Sequence, residues 1–372
     1  MEKKNVLFVH SSSELYGSDR SLLNIVKNIN KDEFKVFVIL PCQGPLVEEI
    51  RKIENVTVDI FEVAVLRRKN LSIKGGAKYL KELIQSTSFI KSYIKNNYID
   101  IVDTNTAVVF PGAIAAKQCG IKSVWHIREI INSNFENNVI SLIMNRYADI
   151  IVANSKSTGE ALNVDKKKIR VVYNAVEDPL ASKKNHEGLV VGMAGRINRW
   201  KGQKIFVDMA EIVHRQFPNA IFEIAGEAYI GEEYLKEDLQ KYIQDKNLDN
   251  CVRLLGQINN MKRFYEGLDV FVLPSTQPEP FGLVVIEAMA YEIPVVATNH
   301  GGPVEIITEG KDGYLVDFIS ANQMAERVEK LLSDKNLRRE MGKFGARKRA
   351  EMFSVSAMVA GIEKVFKEAI SK

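Results

Sequence analysis

Two glutamates, Glu279 and Glu287, bracket the run Pro280-Phe281-Gly282-Leu283-Val284-Val285-Ile286, and Ala288-Met289-Ala290 follows. The run comes after an apolar strand at 270–273 and a polar loop at 274–278, so it opens a helix at a strand's carboxyl end. A helix opening presents unpaired N–H groups and the positive end of the helix dipole, which suits a phosphate. Gly282 permits close backbone approach, and the amides of Gly282, Leu283 and Val284 would face the anion. Glu287, on the first or second turn, could accept two ribose hydroxyls, and Glu279 could reach a sugar beyond the phosphates. Taken singly, Glu287 reads as a solvated glutamate behind a helix cap. The whole Pro- and Gly-bounded arrangement favours the phosphate reading.

A second chemical loop, Gly195-Arg196-Ile197-Asn198-Arg199-Trp200-Lys201-Gly202, follows the strand 189–194. The carboxyl ends of strands are where α/β sheets bind ligands. Arg196 and Lys201 could neutralise charge on a departing diphosphate and replace a divalent ion; Arg199 competes for that role, and a plain basic surface loop is the alternative. Trp125-His126-Ile127-Arg128-Glu129 ends a strand in the first half. A lone histidine there is more often structural than catalytic, and Arg128 and Glu129 either bind a ligand or pair with each other. Asn174 is a cleft residue or a plain turn, and His300 reads as a loop histidine beside Gly301-Gly302.

These loops need strands and helices to hold them. Short β-branched runs alternate with amphipathic stretches, which indicates βαβ units and parallel sheets. In the first half the strands are expected at 6–9, 35–40, 56–60, 99–102, 123–126, 150–153 and 169–172, with helices at 18–29, 46–51, 77–96, 110–119 and 138–147. Gly75-Gly76 is expected to separate a loop from the third of these helices. A composition break at 174–188 reads as a linker, after which a second βαβ series begins at 189. The tail from 321 is helical with a break near Phe353-Ser354, and the stripe Met358, Val359, Ile362, Val365 and Phe366 must pack on something.

With these segments in place the chain resembles the retaining glycosyltransferases of family 4, in which two glutamates seven residues apart stand in an E-P-F-G-L-V-V-I-E context. The resemblance covers nearly the whole chain. It implies an α/β GT-B fold of two Rossmann-like domains facing each other across a cleft: 1–182 for the acceptor, joined by helix 355–372 crossing back, and 183–354 for the donor. It implies that Arg196 and Lys201 hold the distal phosphate of a nucleotide sugar, that Glu279 positions sugar hydroxyls, that His126 faces the donor sugar, and that the backbone near Ile258 meets the base. Phe281, Gly282, Leu283, Val284 and Glu287 complete the donor set, together with Gly17. The loop around Gly17 departs from the family's Gly-Gly-x-Glu-Arg, because Tyr16 stands at the first glycine and Asp19 at the glutamate. Ala175 and Glu177 are departures after Asn174. The implied reaction is metal-independent transfer of a hexosyl or N-acetylhexosaminyl group, with UDP the leading nucleotide, to a glycan or lipid-linked glycan in polysaccharide biosynthesis. A hydrolysing nucleotide-sugar epimerase and a non-catalytic nucleotide-sugar-binding subunit are the alternatives.

Composition narrows the field. The 372 residues, 46% hydrophobic and 26% charged, suit two α/β domains of a globular enzyme. No uninterrupted apolar stretch approaches the roughly 18 residues of a membrane span, and the N-terminus makes a poor signal peptide, so a cytoplasmic protein is expected. Three scattered cysteines and five histidines show no metal-ligand spacing, and no Gly-x-Gly-x-x-Gly turn invites a dinucleotide, so neither metal nor cofactor is expected. A net charge of +4 is too small to argue for nucleic acid. Its distribution is uneven, however: between 63 and 97, Arg67, Arg68, Lys69, Lys74, Lys78, Lys81, Lys91 and Lys95 are opposed only by Glu82. That segment is either a core-packed helix with a solvated basic face or a dock for an anionic membrane surface.

Overall fold

The computed structural model describes residues 3–67, 70, 72–131, 133–179, 188–258 and 260–371. The chain forms two compact units, one of residues 1–175 with 355–372, the other of 176–354. The linker residues 180–187, which include the expected boundary at 182/183, lie outside the described residues.

The first unit is a seven-stranded parallel sheet in the order β3-β2-β1-β4-β5-β6-β7. The strands are β1 (Lys4–Val9), β2 (Phe34–Leu40), β3 (Val56–Ile60), β4 (Ile101–Asn105), β5 (Lys122–Ile127), β6 (Ile150–Ala153) and β7 (Ile169–Val171). Parallel strands covered on both faces read as continuous apolar runs, and period-2 alternation divides each run between two cores. Val6 and Phe8 of β1 join one core; Leu7 and Val9 join the other. The first core is roofed by α1 (Gly17–Asn28), α2 (Pro45–Arg51) and the last helix, α14 (Val355–Ser371). The stripe on α14 meets its partner there, with Phe366 5.9 Å from both Phe8 and Phe34. The second face carries α3 (Ile73–Asn96), α4 (Pro111–Cys119) and α5 (Asn134–Tyr147). A short helix α6 (Lys156–Ala161) links β6 and β7; Ser155, which the sequence reads as helix-capping chemistry at the end of a strand, caps it by accepting the Thr158 amide at 2.9 Å.

Gly75 and Gly76 do not precede α3 but lie in its first turn. Ser72 caps the helix by accepting the Gly75 amide at 3.1 Å, so the start moves ahead of the glycines. β4 also runs past the expected Val102 to include Asp103, Thr104 and Asn105, all fully buried.

The second unit repeats the plan with six parallel strands in the order β10-β9-β8-β11-β12-β13. Its strands are β8 (Leu189–Ala194), β9 (Ala220–Ala225), β10 (Val252–Gly256), β11 (Val270–Leu273), β12 (Val295–Thr298) and β13 (Gly313–Val316). Between and after them come α7 (Gln203–Gln216), α8 (Tyr234–Asp245), α9 (Met261–Glu266), α10 (Leu283–Ala290), α11 (Pro303–Ile306), α12 (Ala321–Ser333) and α13 (Lys335–Met352). The strand β13 and the turn α11 had no expected counterpart. The helical tail breaks at Asp334, which caps α13 through the Leu337 amide at 2.9 Å, as well as near Phe353.

Candidate functional site

In the second unit three loops at strand carboxyl ends are knitted together. After β8, the Asn198 carboxamide accepts the amides of Trp200 at 3.1 Å and Lys201 at 2.9 Å, which fixes the turn. The Trp200 carbonyl accepts the Thr276 amide at 2.7 Å and its hydroxyl at 3.2 Å, tying this loop to the one after β11. Gly202 then opens α7 at φ 77°, and a Cβ there would stand 1.9 Å from the Pro274 carbonyl oxygen. The loop after β12 closes from the other side. Gly301, at φ 72°, leaves no room for a side chain because a Cβ would lie 2.3 Å from the Glu279 carbonyl oxygen, and the Gly302 amide donates to that oxygen at 2.7 Å.

This backbone clasp sets Lys201 and Glu279 together. The Lys201 ammonium is 2.8 Å from both carboxylate oxygens of Glu279, and the Ser275 hydroxyl donates to Oε2 at 3.0 Å. The pair is largely desolvated, at 13% and 11% side-chain exposure, so its attraction is little screened. His300 donates through Nε2 to the Ser275 carbonyl at 2.8 Å, and Thr298 donates to the same oxygen at 3.0 Å. The loop histidine is therefore a brace for the serine that holds Glu279.

Arg196 lays its guanidinium 3.5 Å from the centre of the Tyr229 ring. Arg199 instead reaches the Tyr234 hydroxyl at 3.4 Å in an exposed position. Gly282, at φ 100°, caps α10, whose first residues Leu283 and Val284 are half-buried. Phe281 is buried and packs edge-on against Phe353 at 5.8 Å, so it can offer a ligand only its backbone. Glu287, on the second turn, accepts from the Tyr265 hydroxyl at 2.6 Å. Ile258 is half-buried in the loop after β10.

The first unit gathers a different set. His126, next to last in β5, is 1% exposed, with Nδ1 4.0 Å from Oδ2 of Asp103 in the middle of β4. Arg128 is also buried; its Nε donates to Asn105 at 3.4 Å and its Nη1 donates to Asn174, which also accepts from Ser21 at 3.3 Å. Asn174 is thus part of a polar network rather than a bare turn. Glu129 accepts the amides of Ala107 at 3.3 Å and Arg128 at 3.2 Å. Burial raises the Asp103 pKa to about 7 against the pull of Arg128, and lowers that of Arg128 to about 10. Burial, then Arg128 and His10, hold His126 well below its ordinary range, so its ring is neutral. Burial likewise raises Glu129.

Gly17 is the first residue of α1, next to the exposed Tyr16. Asp19 accepts from the Tyr16 amide at 2.9 Å and Ser12 at 3.3 Å and stands 2.7 Å from His10 Nε2. Burial opposes its ionisation, but those hydrogen bonds outweigh it and lower its pKa. Asp19 therefore shapes its own loop. A cavity of about 990 Å³ lies beside it, lined among others by Ser12, Cys42, Phe61, Arg67, Lys78 and Gln85.

Sequence reasoning missed Asp103, Asn105, His10, Ser275 and Tyr265. The run Asp103-Thr104-Asn105 directly after Ile101-Val102 was the available signal for the first two, since polar residues completing a buried strand need a reason. Among the described residues no three His, Cys, Asp or Glu side chains are placed to hold a metal ion.

Two family models match, end to end: Glycosyltransferase Family 4 over residues 16–178 and Glycosyl transferases group 1 over residues 177–348. The D-inositol 3-phosphate glycosyltransferase of Paenarthrobacter aurescens is 35% identical over 182 residues, 48% of this chain and 43% of that protein. The N-acetylgalactosamine-N,N'-diacetylbacillosaminyl-diphospho-undecaprenol 4-alpha-N-acetylgalactosaminyltransferase of Campylobacter jejuni is 28% identical over 64% of this chain and 66% of its own length. Against the first curated relatives the match spans about half of their length. An Anabaena protein solved in complex with UDP and glucose superposes with a TM-score of 0.82 at 23% identity, over 97% of this chain and 99% of that one. This last likeness is one of fold.

Replacing Glu287 with Ala should weaken binding of a nucleoside diphosphate by about 1.5–3 kcal/mol, roughly 10- to 150-fold in Kd, if its carboxylate takes charge-assisted bonds from ribose hydroxyls. Calorimetry with UDP measures this, with Tyr265→Phe as the control that removes only the 2.6 Å support. Unchanged affinity in a folded Glu287→Ala protein would remove Glu287 from the site.

Proposed function

The chain belongs to glycosyltransferase family 4, and on that premise we propose that it moves a hexosyl or N-acetylhexosaminyl group from a UDP-linked sugar to a glycan or lipid-linked glycan, with retention and without a metal. The observation that carries the proposal is the Lys201–Glu279–Ser275 arrangement beside the opening of α10. The diphosphate binds at the amides of Gly282, Leu283 and Val284, where the helix dipole is positive. Glu287 takes the ribose, and the backbone near Ile258 takes the base. Arg196 and Lys201 take the charge that builds on the distal phosphate as the anomeric C–O bond breaks. The acceptor hydroxyl attacks the same face, and the departing phosphate oxygen receives its proton.

Glu279 in this scheme orients hydroxyls of the sugar. Both of its oxygens are already engaged by Lys201, and one also by Ser275, which suits a positioned acceptor of hydrogen bonds better than a nucleophile. His126 and Gly17 serve the donor sugar as the resemblance implies. The acceptor is assigned to the cavity of about 990 Å³, a size that suits a small saccharide. The UDP complex of the Anabaena protein and the diphospho-undecaprenol in the name of the Campylobacter jejuni relative support this choice of donor and acceptor.

The test is a panel of radiolabelled nucleotide sugars with and without acceptor lipids, in excess EDTA. The expected outcome is transfer to the acceptor that survives EDTA, with the donor's anomeric configuration kept in the product. Free sugar or epimer as the sole product, or an absolute need for added Mn²⁺, would overturn the proposal.

The basic segment 67–95 is proposed to rest on an anionic leaflet. In α3, Ile90 and Ile94 are buried while Lys74, Lys78, Lys81 and Lys95 are exposed beside the exposed Leu80 and Ile84. Arg68 and Lys69 lie outside the described residues. No described helix is long and apolar enough to cross a membrane. Each basic residue near such a surface contributes about 1 kcal/mol, and salt weakens the sum. Vesicles containing anionic lipid should co-sediment the protein at low but not high ionic strength. Replacing Arg67, Arg68, Lys69 and Lys74 with Gln should release it while UDP affinity stays the same. Equal binding to neutral and anionic vesicles, or none to either, would leave α3 a core-packed helix with a solvated face.

A further inference from the structure

The carboxyl-terminal halves of β4 and β5 hold an unusual set of buried polar atoms. Asp103 Oδ2 and both ring nitrogens of His126 have no hydrogen-bond partner among the described residues, although both side chains are almost wholly enclosed. Two of these atoms, Asp103 Oδ2 and His126 Nδ1, face each other at 4.0 Å. The other carboxylate oxygen is committed, since Asp103 Oδ1 accepts from Asn105 Nδ2 at 3.1 Å. Buried polar groups are nearly always paired, so orphans that face each other at slightly more than bonding distance ask for an explanation.

We propose that Asp103 is a positioning residue that holds the neutral His126 ring as its Nδ1–H tautomer, leaving Nε2 a bare acceptor for a hydroxyl of the bound sugar. The inference rests on the reading that His126 serves the donor sugar. A neutral imidazole carries one proton, and which nitrogen bears it is set by what the other faces. A carboxylate opposite Nδ1 draws the proton to that side. The remaining charged groups around the couple do not supply an alternative: Arg128, which donates to Asn105 and Asn174, and His10, paired with Asp19, both keep His126 from taking a second proton. Glu129 is engaged by two backbone amides. The same register explains why the polar run begins at Asp103, because β4 and β5 pair Asp103 with Val124 and Asn105 with His126, setting the carboxylate beside the ring. A neutral Nε2 with a lone pair accepts from a sugar hydroxyl, whereas an Nε2–H would have to donate to it.

The experiment is ¹⁵N nuclear magnetic resonance of the full chain labelled at histidine, at pH 8, where the Asp103 carboxylate is ionised, with His126→Gln used only to assign the resonances. The wild-type protein should show His126 protonated at Nδ1 and bare at Nε2. In Asp103→Asn the two nitrogens should exchange character or average between the tautomers. Asp103→Asn should also lower kcat for transfer at least tenfold while UDP affinity, set in the second unit, stays within twofold. An Nε2–H tautomer in the wild type overturns the inference whether or not the variant folds. So does an Asp103→Asn protein with unchanged tautomer and kcat. The tautomer is read without any donor, so its failure is distinct from a failure of glycosyl transfer itself.

Discussion

A single ion pair organises the second unit. Lys201 and Glu279 come from loops that are distant in sequence, and the backbone clasp between those loops brings them within 2.8 Å of each other. Three glycines make the meeting possible: Gly202 beside Pro274, and Gly301 and Gly302 against the backbone of residues 279–281. Any side chain at these points would wedge the loops apart. Removing one member of a desolvated pair leaves a charge unpaired, at a cost of about 3–5 kcal/mol. The pair therefore has two roles. It ties the loop after β8 to the loop after β11, and on the proposed reading it presents a cation and a carboxylate at fixed spacing to a ligand that carries both phosphate and sugar hydroxyls.

The first unit solves a different problem. Its parallel sheet ends not in a clasp of opposite charges but in a row of enclosed polar groups, His10, Asp103, Asn105, His126, Arg128 and Asn174. Burial keeps His126 neutral and brings Asp103 close to neutral pH. Such groups suit recognition of uncharged hydroxyls, where donors and acceptors must match, rather than capture of an anion.

Much of this was legible in the sequence. The alternation of apolar runs with amphipathic stretches marked both sheets, and the stripe on α14 foretold a helix seeking a core, found beneath it as Phe8 and Phe34. Arg196, Lys201 and Glu279 stood out because they are charged residues in loops at strand ends, and Glu287 because it follows Glu279 at the opening of a helix. Asp103 was hidden because a polar residue after Ile101-Val102 reads as the end of a strand, whereas hydrogen bonding with β5 carries the strand on to Asn105. The start of α3 was misplaced for a related reason. Glycine suggests a break, but in a first turn, where amides lack helical partners anyway, Ser72 can cap ahead of it. Ser275 and His300 acquire their roles only once the loops are folded together, and no local pattern announces them.

The central claim is that Lys201 handles phosphate and Glu279 handles sugar, each held ready by the other. The most direct test is the UDP affinity of Glu279→Gln, measured by calorimetry beside Lys201→Met and the double variant. If the roles are divided in this way, Glu279→Gln frees Lys201 and binds UDP as tightly as the wild type or more so, while sugar transfer falls by roughly 10²-fold through lost positioning. Lys201→Met weakens UDP, and the double variant resembles it. A Glu279→Gln protein that folds but loses UDP affinity as severely as Lys201→Met would contradict the account.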